Sequence, residues 1–129
     1  MLAVDEELVV GAERTAPRTV RHWVMRSVAG AGIVGSSNQV VELLTAELVS
    51  NAVLYGAEGG EVRVRVTVDG TCVRIAVRDE GTGHPQVKAV EPTAPSGRGL
   101  ALVDALSTSW GTLEHDRGKT VWFEVDTEA

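Results

Sequence analysis

Between Val62 and Val77 the sequence alternates with a period of two on both sides of an Asp-Gly pair. Val62, Val64, Val66 and Val68 are separated by Arg63, Arg65 and Thr67; Val73, Ile75 and Val77 resume the pattern beyond Asp69–Gly70. Successive strand side chains point to opposite faces, so this row has a dry side only as a strand. Asp-Gly is a strong two-residue hairpin turn. With Asp69 and Gly70 as the loop, Val68 pairs with Thr71, and both apolar rows fall on one face. The pattern predicts an antiparallel hairpin with a single buried face.

That face needs a cover, and two amphipathic segments offer one. Arg18–Ala29 carries Val20, Val24 and Val28 at helical spacing, with Trp23 beside them. Thr15 is the expected N-cap, Pro17 suits the first turn, and Gly30–Ala31–Gly32 forms the stop. Ser36 followed by Gln39 reads as a capping box opening a helix over Ser37–Tyr55, whose stripe is Val41, Leu44, Leu48 and Val49. Leu100–Leu106 reads as a third helix, opened near Ser96. Glu7–Val10 reads as a short first strand. Ser107–Glu114 and Thr120–Val125 form a last hairpin around Asp116–Gly118. Gly81–Ser96, with Pro85, Pro92 and Pro95, reads as a loop. The order is strand, helix, helix, two strands, helix, two strands. The expected class is α+β, a two-layer α/β sandwich with a mainly antiparallel sheet and helices on one face. The length of 129 residues suits one domain over 1–129.

Composition narrows the function. A net charge of −6 argues against binding nucleic acid by phosphate neutralisation. It leaves room for an anionic nucleotide, which needs only a local nest of backbone N–H groups. Cys72 is the single cysteine, so neither an internal disulfide nor a Cys-based zinc site is expected. It reads as a small apolar strand residue. Met1–Val10 carries Asp5, Glu6 and Glu7 and no basic stretch, unlike a signal peptide. The uncharged runs fall short of a membrane span. A cytoplasmic protein is expected. His22, His84 and His115 show no metal-ligand spacing.

Four short segments offer chemistry. Asp79 continues the apolar row 73, 75, 77, which puts a carboxylate on the core side at a strand's end. Buried, it needs a donor, and a ligand can supply one; alternatively, Asp79-Glu80-Gly81 is an exposed turn. Gly81-Thr82-Gly83 follows, where glycine permits positive φ and close approach to a ligand. Glu47 and Asn51 stand one turn apart on one helix face. They suit a Mg²⁺ that keeps waters and binds phosphates, or form a solvated edge. Glu47 also suits a general base. Ser96-Gly97-Arg98-Gly99 leads into a helix start, where backbone N–H groups attract phosphate. Gly118-Lys119-Thr120 enters the last strand. Alternation places Thr120 with Trp122 and Glu124, opposite Val121, Phe123 and Val125.

The run Glu47-Leu48-Val49-Ser50-Asn51-Ala52, then Asp79-Glu80-Gly81-Thr82-Gly83, then Gly97-Arg98-Gly99-Leu100, then Gly118-Lys119-Thr120 resembles the GHKL ATPases. That superfamily of gyrase, histidine kinases and MutL shares the Bergerat nucleotide-binding fold. The resemblance spans about residues 7 to 126. It is nearest the free-standing anti-sigma-factor serine kinases of bacteria. It implies ATP and Mg²⁺ as cofactors, with Asn51 on Mg²⁺ and Glu47 as base toward a serine hydroxyl or water. Asp79 would accept the adenine amino group, Gly83 would line the adenine side, and Gly81 would belong to the same nucleotide site. Gly97 and Gly99 would hold the phosphates beneath a Gly81–Ser96 lid, with Arg98 and Leu100 also in the nucleotide site. Thr120 would help bind adenine, directly or through water. Tyr55 stands where a His is frequent, and the lid offers only Lys88, besides Arg98, for phosphate. The implied partners are a sigma factor and an anti-anti-sigma (STAS-type) protein, with no direct nucleic acid, no membrane and room for a homodimer. Three functions fit this reading: a serine kinase that holds a sigma factor, an ATP/ADP-binding switch without transfer, and an interaction protein with a vestigial pocket.

Overall fold

The computed structural model describes residues 3–81 and 95–127, with side chains in the latter stretch from residue 100 onward. The elements run β1 (Val4–Gly11), α1 (Ala16–Gly30), α2 (Ser36–Tyr55), β2 (Glu61–Asp69), β3 (Cys72–Asp79), α3 (Pro95–Leu106), β4 (Ser109–His115) and β5 (Gly118–Asp126). The order anticipated from the sequence is the observed one.

The strands form one sheet in the order β1-β2-β3-β5-β4, and every neighbouring pair is antiparallel. All three helices pack on one face: α1 against β1 and β2, α2 against β2, β3 and β5, and α3 beside β4. The architecture is the expected two-layer α+β sandwich. Its core interleaves Val20, Val24 and Val28 of α1 and Val41, Leu44 and Leu48 of α2 with the strand valines and Phe123. Val62, Val64, Val66, Val73 and Ile75 are fully buried. Each such side chain contributes about 1.5–3 kcal/mol of transfer free energy. The opposite sheet face is wet. There Arg65 donates two hydrogen bonds to Asp5, at 2.8 and 2.7 Å, and the Arg74 guanidinium lies 4.2 Å from the centroid of the Trp122 ring.

Four local expectations are corrected. The hairpin loop is Gly70–Thr71, because Asp69 pairs with Cys72 and Val68 with Val73. Gly70 has φ +60°, and no described non-glycine residue has positive φ. A loop of Asp69–Gly70 would put positive φ on Asp69, whereas this placement needs it only on glycine. Moving the turn by one residue moves the pairing by two, so the apolar rows keep their shared face. The capping box does not form: Gly35 is the N-cap of α2, no side chain caps it, and Gln39 N–H bonds to the Gly35 carbonyl. Thr15 is at the α1 N-cap position but makes no side-chain cap bond. β1 begins at Val4, not Glu7, because it pairs along its length with β2.

Candidate functional site

The alternation of β3 ends on Asp79. Because Val73, Ile75 and Val77 face the helices, Asp79 does too, and it is only 4% exposed. The exposed-turn alternative is thereby removed. Asp79 Oδ1 accepts the Gly81 N–H at 2.7 Å. A second donor comes from β5, where Lys119 stands opposite Asp79 in the ladder. The Lys119 ammonium donates to the same oxygen at 3.1 Å and is itself 7% exposed. This is a buried ion pair, joining two core-facing strand positions 40 residues apart.

The backbone closes tightly around that pair. A Cβ on Gly81 would lie 2.5 Å from the Tyr55 carbonyl oxygen and 2.8 Å from Gly56 Cα. Gly81 has no positive φ, so it is glycine because the end of α2 presses against it. Gly118 has φ +112°, and a Cβ there would collide with the Asp79 carbonyl oxygen. Three chain segments thus meet at Asp79: the end of α2, the end of β3 and the start of β5.

Glu47 and Asn51 are half-buried on α2. They border the buried stripe of Leu44, Leu48, Val49 and Ala52. α2 packs against both β3 and α3, so one helix connects the strand bearing Asp79 with the helix bearing Gly97 and Gly99. α3 begins at Pro95; Gly97 and Gly99 therefore lie inside its first turns and do not precede it. Arg98 is also within α3. Leu100 is 3% exposed and belongs to the core. Gly83 and Lys88, with most of the expected lid, lie outside the described residues.

Thr120 lies where the alternation placed it. It pairs with Arg78, on the sheet face away from Asp79, and its hydroxyl contacts His115 Nε2 at 2.7 Å. Lys119 takes the place beside Asp79. The signal was present in the alternation: if 121, 123 and 125 face the core, so does 119.

A metal at this site would have few protein ligands. Among the described residues no group of three or more His, Cys, Asp or Glu side chains gathers to hold one. The Asn51 amide oxygen fits the alternative, a Mg²⁺ held chiefly by phosphate oxygens and water. A concavity of about 470 Å³ lies on the wet sheet face, lined by Glu7, Glu61, Arg63, Arg78, Glu80 and Arg117. Its three carboxylates balance its three guanidinium groups, and it stands apart from the Asp79 side chain.

The chain is a two-layer α/β sandwich with a buried carboxylate at the end of a central strand. Residues 10–125 match the histidine kinase-like ATPase domain family, and the chain belongs to that family. It is a nucleotide-binding domain of the GHKL type. Among solved structures, the RsbU and RsbW domains of Rv1364c from Mycobacterium tuberculosis superpose with a TM-score of 0.74 at 24% identity, over 95% of this chain and 31% of that one. This chain therefore spans about a third of the length of that solved chain. The catalytic domain of the histidine kinase ThkA superposes at 0.59 with 15% identity, over 95% and 96% of the two chains. The histidine kinase domain of the blue-light activated kinase from Erythrobacter litoralis gives 0.54 at 22% identity, over 71% and 45%. No curated protein sequence matches the chain.

Proposed function

We propose that this chain is an ATP-binding regulator with protein-serine kinase activity, an anti-sigma factor whose substrate is an anti-anti-sigma partner of the STAS type. The observation that carries the nucleotide half is Asp79. A carboxylate held on the core side, with Oδ1 accepting the Gly81 N–H, supports a role as acceptor of a base N–H. The likeness to a structure containing an RsbW domain supports the regulatory half, as does the order of Glu47, Asn51, Asp79, Gly97 and Gly99 along the chain.

In this reading Asn51 would hold Mg²⁺, which would offset the charge of the phosphates. Glu47 takes the proton of the partner's serine hydroxyl. The serine oxygen forms a bond to the γ-phosphorus as the bond to ADP breaks. Positioning and charge stabilisation supply most of the acceleration in such transfers.

Calorimetric titration with ATP, with and without Mg²⁺, tests the first half. Magnesium-dependent saturation is expected. A folded sample that takes up no ATP under either condition sinks the assignment. Incubation with γ-labelled ATP and a STAS-type partner tests the second half. Binding without label transfer would reduce the protein to an ATP/ADP switch.

A further inference from the structure

We propose that the outer face of α1 docks an acidic segment of a partner protein. The proposal rests on the regulatory half of the reading above and names the surface that holds the partner.

From Arg14 to Gly30 the chain carries four arginines and no carboxylate, although its net charge is −6. Arg18, His22 and Arg26 recur every four residues on α1 and are exposed, so they share one helix face. Arg21 and Met25 are half-buried along the edge of that face. Among the described residues, none of the four arginines makes a hydrogen bond or an ion pair. The sheet differs: Arg63, Arg65 and Arg74 each pair with a carboxylate. The carboxylates nearest α1 are turned elsewhere. Glu13 lies against Gly11, and Glu6 accepts the Ser27 hydroxyl at 3.2 Å. Arg21 adds a second observation. Its Nε is buried and has no hydrogen-bond partner among the described residues. Packing therefore holds the guanidinium in place, and an anion at its outer nitrogens would offset the cost of burying it.

Three polyanions meet basic helices, and this face suits one of them. A membrane-surface helix keeps an apolar face to insert, but Val20, Val24 and Val28 are already fully buried in the core. A nucleic acid presents a long array of phosphates and is held by many cations at once; here there are four arginines on an acidic chain. A short acidic segment needs only a few carboxylates at helical spacing. Each guanidinium can take one through two parallel hydrogen bonds, and Met25 offers apolar contact between the charges.

The test is fluorescence anisotropy of the full chain with a labelled helical peptide bearing glutamate at every fourth position. Its glutamine counterpart and a DNA duplex are run beside it, and binding to phosphatidylglycerol vesicles is followed by sedimentation. Two charge-reversal variants are compared: Arg18→Glu/Arg26→Glu on α1, and Arg78→Glu/Arg117→Glu at the wet-face concavity. All four positions are exposed and the net-charge change is the same, with folding checked by circular dichroism. Arg18→Gln/Arg26→Gln replaces the α1 variant if that one does not fold. Wild type should bind the glutamate peptide at least about tenfold more tightly than the glutamine one. The α1 variant should lose at least about fivefold, and the wet-face variant less than about twofold. Equal losses in the two variants overturn the proposal, because net charge alone then explains binding. Tighter binding of duplex or vesicles than of the glutamate peptide also overturns it, as does no preference for glutamate over glutamine. ATP titration of the same wild-type sample separates the two readings. ATP uptake without peptide binding overturns this proposal alone, and peptide binding without ATP uptake overturns the nucleotide reading and leaves the docking face.

Discussion

Lys119 and Asp79 form an ion pair at 3.1 Å in which both side chains are less than a tenth exposed. The two residues lie on adjacent antiparallel strands, directly across from each other. The pair ties the start of β5 to the end of β3, where the glycine backbones of Gly81 and Gly118 pack against it.

Breaking the pair should be expensive for the fold. Lys119→Met leaves a buried carboxylate without its cation, which costs about 3–5 kcal/mol, whereas replacing both partners by apolar residues of similar size is near neutral. Urea unfolding of Lys119→Met, Asp79→Leu and the double variant should show the double to be more stable than either single. Strictly additive losses would mean that the pair is not coupled.

Asp79→Asn should weaken ADP binding by about ten- to a hundredfold, the effect of one hydrogen bond to a charged group. Unchanged affinity in a folded variant would remove Asp79 from the base site.

Glu47→Ala should retain ATP binding and lose phosphoryl transfer by about 10²–10⁴-fold, the usual contribution of a general base. Asn51→Ala should instead lose the magnesium dependence of binding. Wild-type transfer rates in Glu47→Ala would mean that another group takes the proton.

Cys72 should react slowly with iodoacetamide. Burial pushes its thiol up, and the nearby Glu124 carboxylate adds to the shift; Sγ lies 3.6 Å from Glu124 Oε2. A thiol raised on folding contributes stability that is fully present below its unfolded pKa. That stability is lost as pH rises through the higher folded value. Alkylation followed against pH should therefore show a midpoint above that of the unfolded chain, moving down in Glu124→Gln. A midpoint equal to that of the unfolded chain would contradict the burial of this thiol.

Much of this protein was legible in one dimension. Val62–Val68 and Val73–Val77 declared a hairpin with one dry face, because a period of two has only one physical interpretation. The spacing of Val20, Val24 and Val28, and of Val41, Leu44 and Leu48, declared helices to cover it. The same alternation, carried two residues further, put Asp79 inside. Local chemistry was less reliable where neighbouring residues compete for one role. Gly35 took the cap that Ser36 was expected to supply, and Gly70 moved the turn by one residue because positive φ costs glycine least.

The sequence by itself determined the element order, the apolar faces and the placement of a carboxylate on the core side at a strand's end, since each follows from periodicity within a short window. Only the tertiary structure decided which side chain meets that carboxylate. Register between β3 and β5 brings Lys119 to Asp79. A ladder between strands 40 residues apart is set by the packing of both strands under α2. No local pattern encodes that distance, and an ion pair of this kind exists only once the sheet has closed around it.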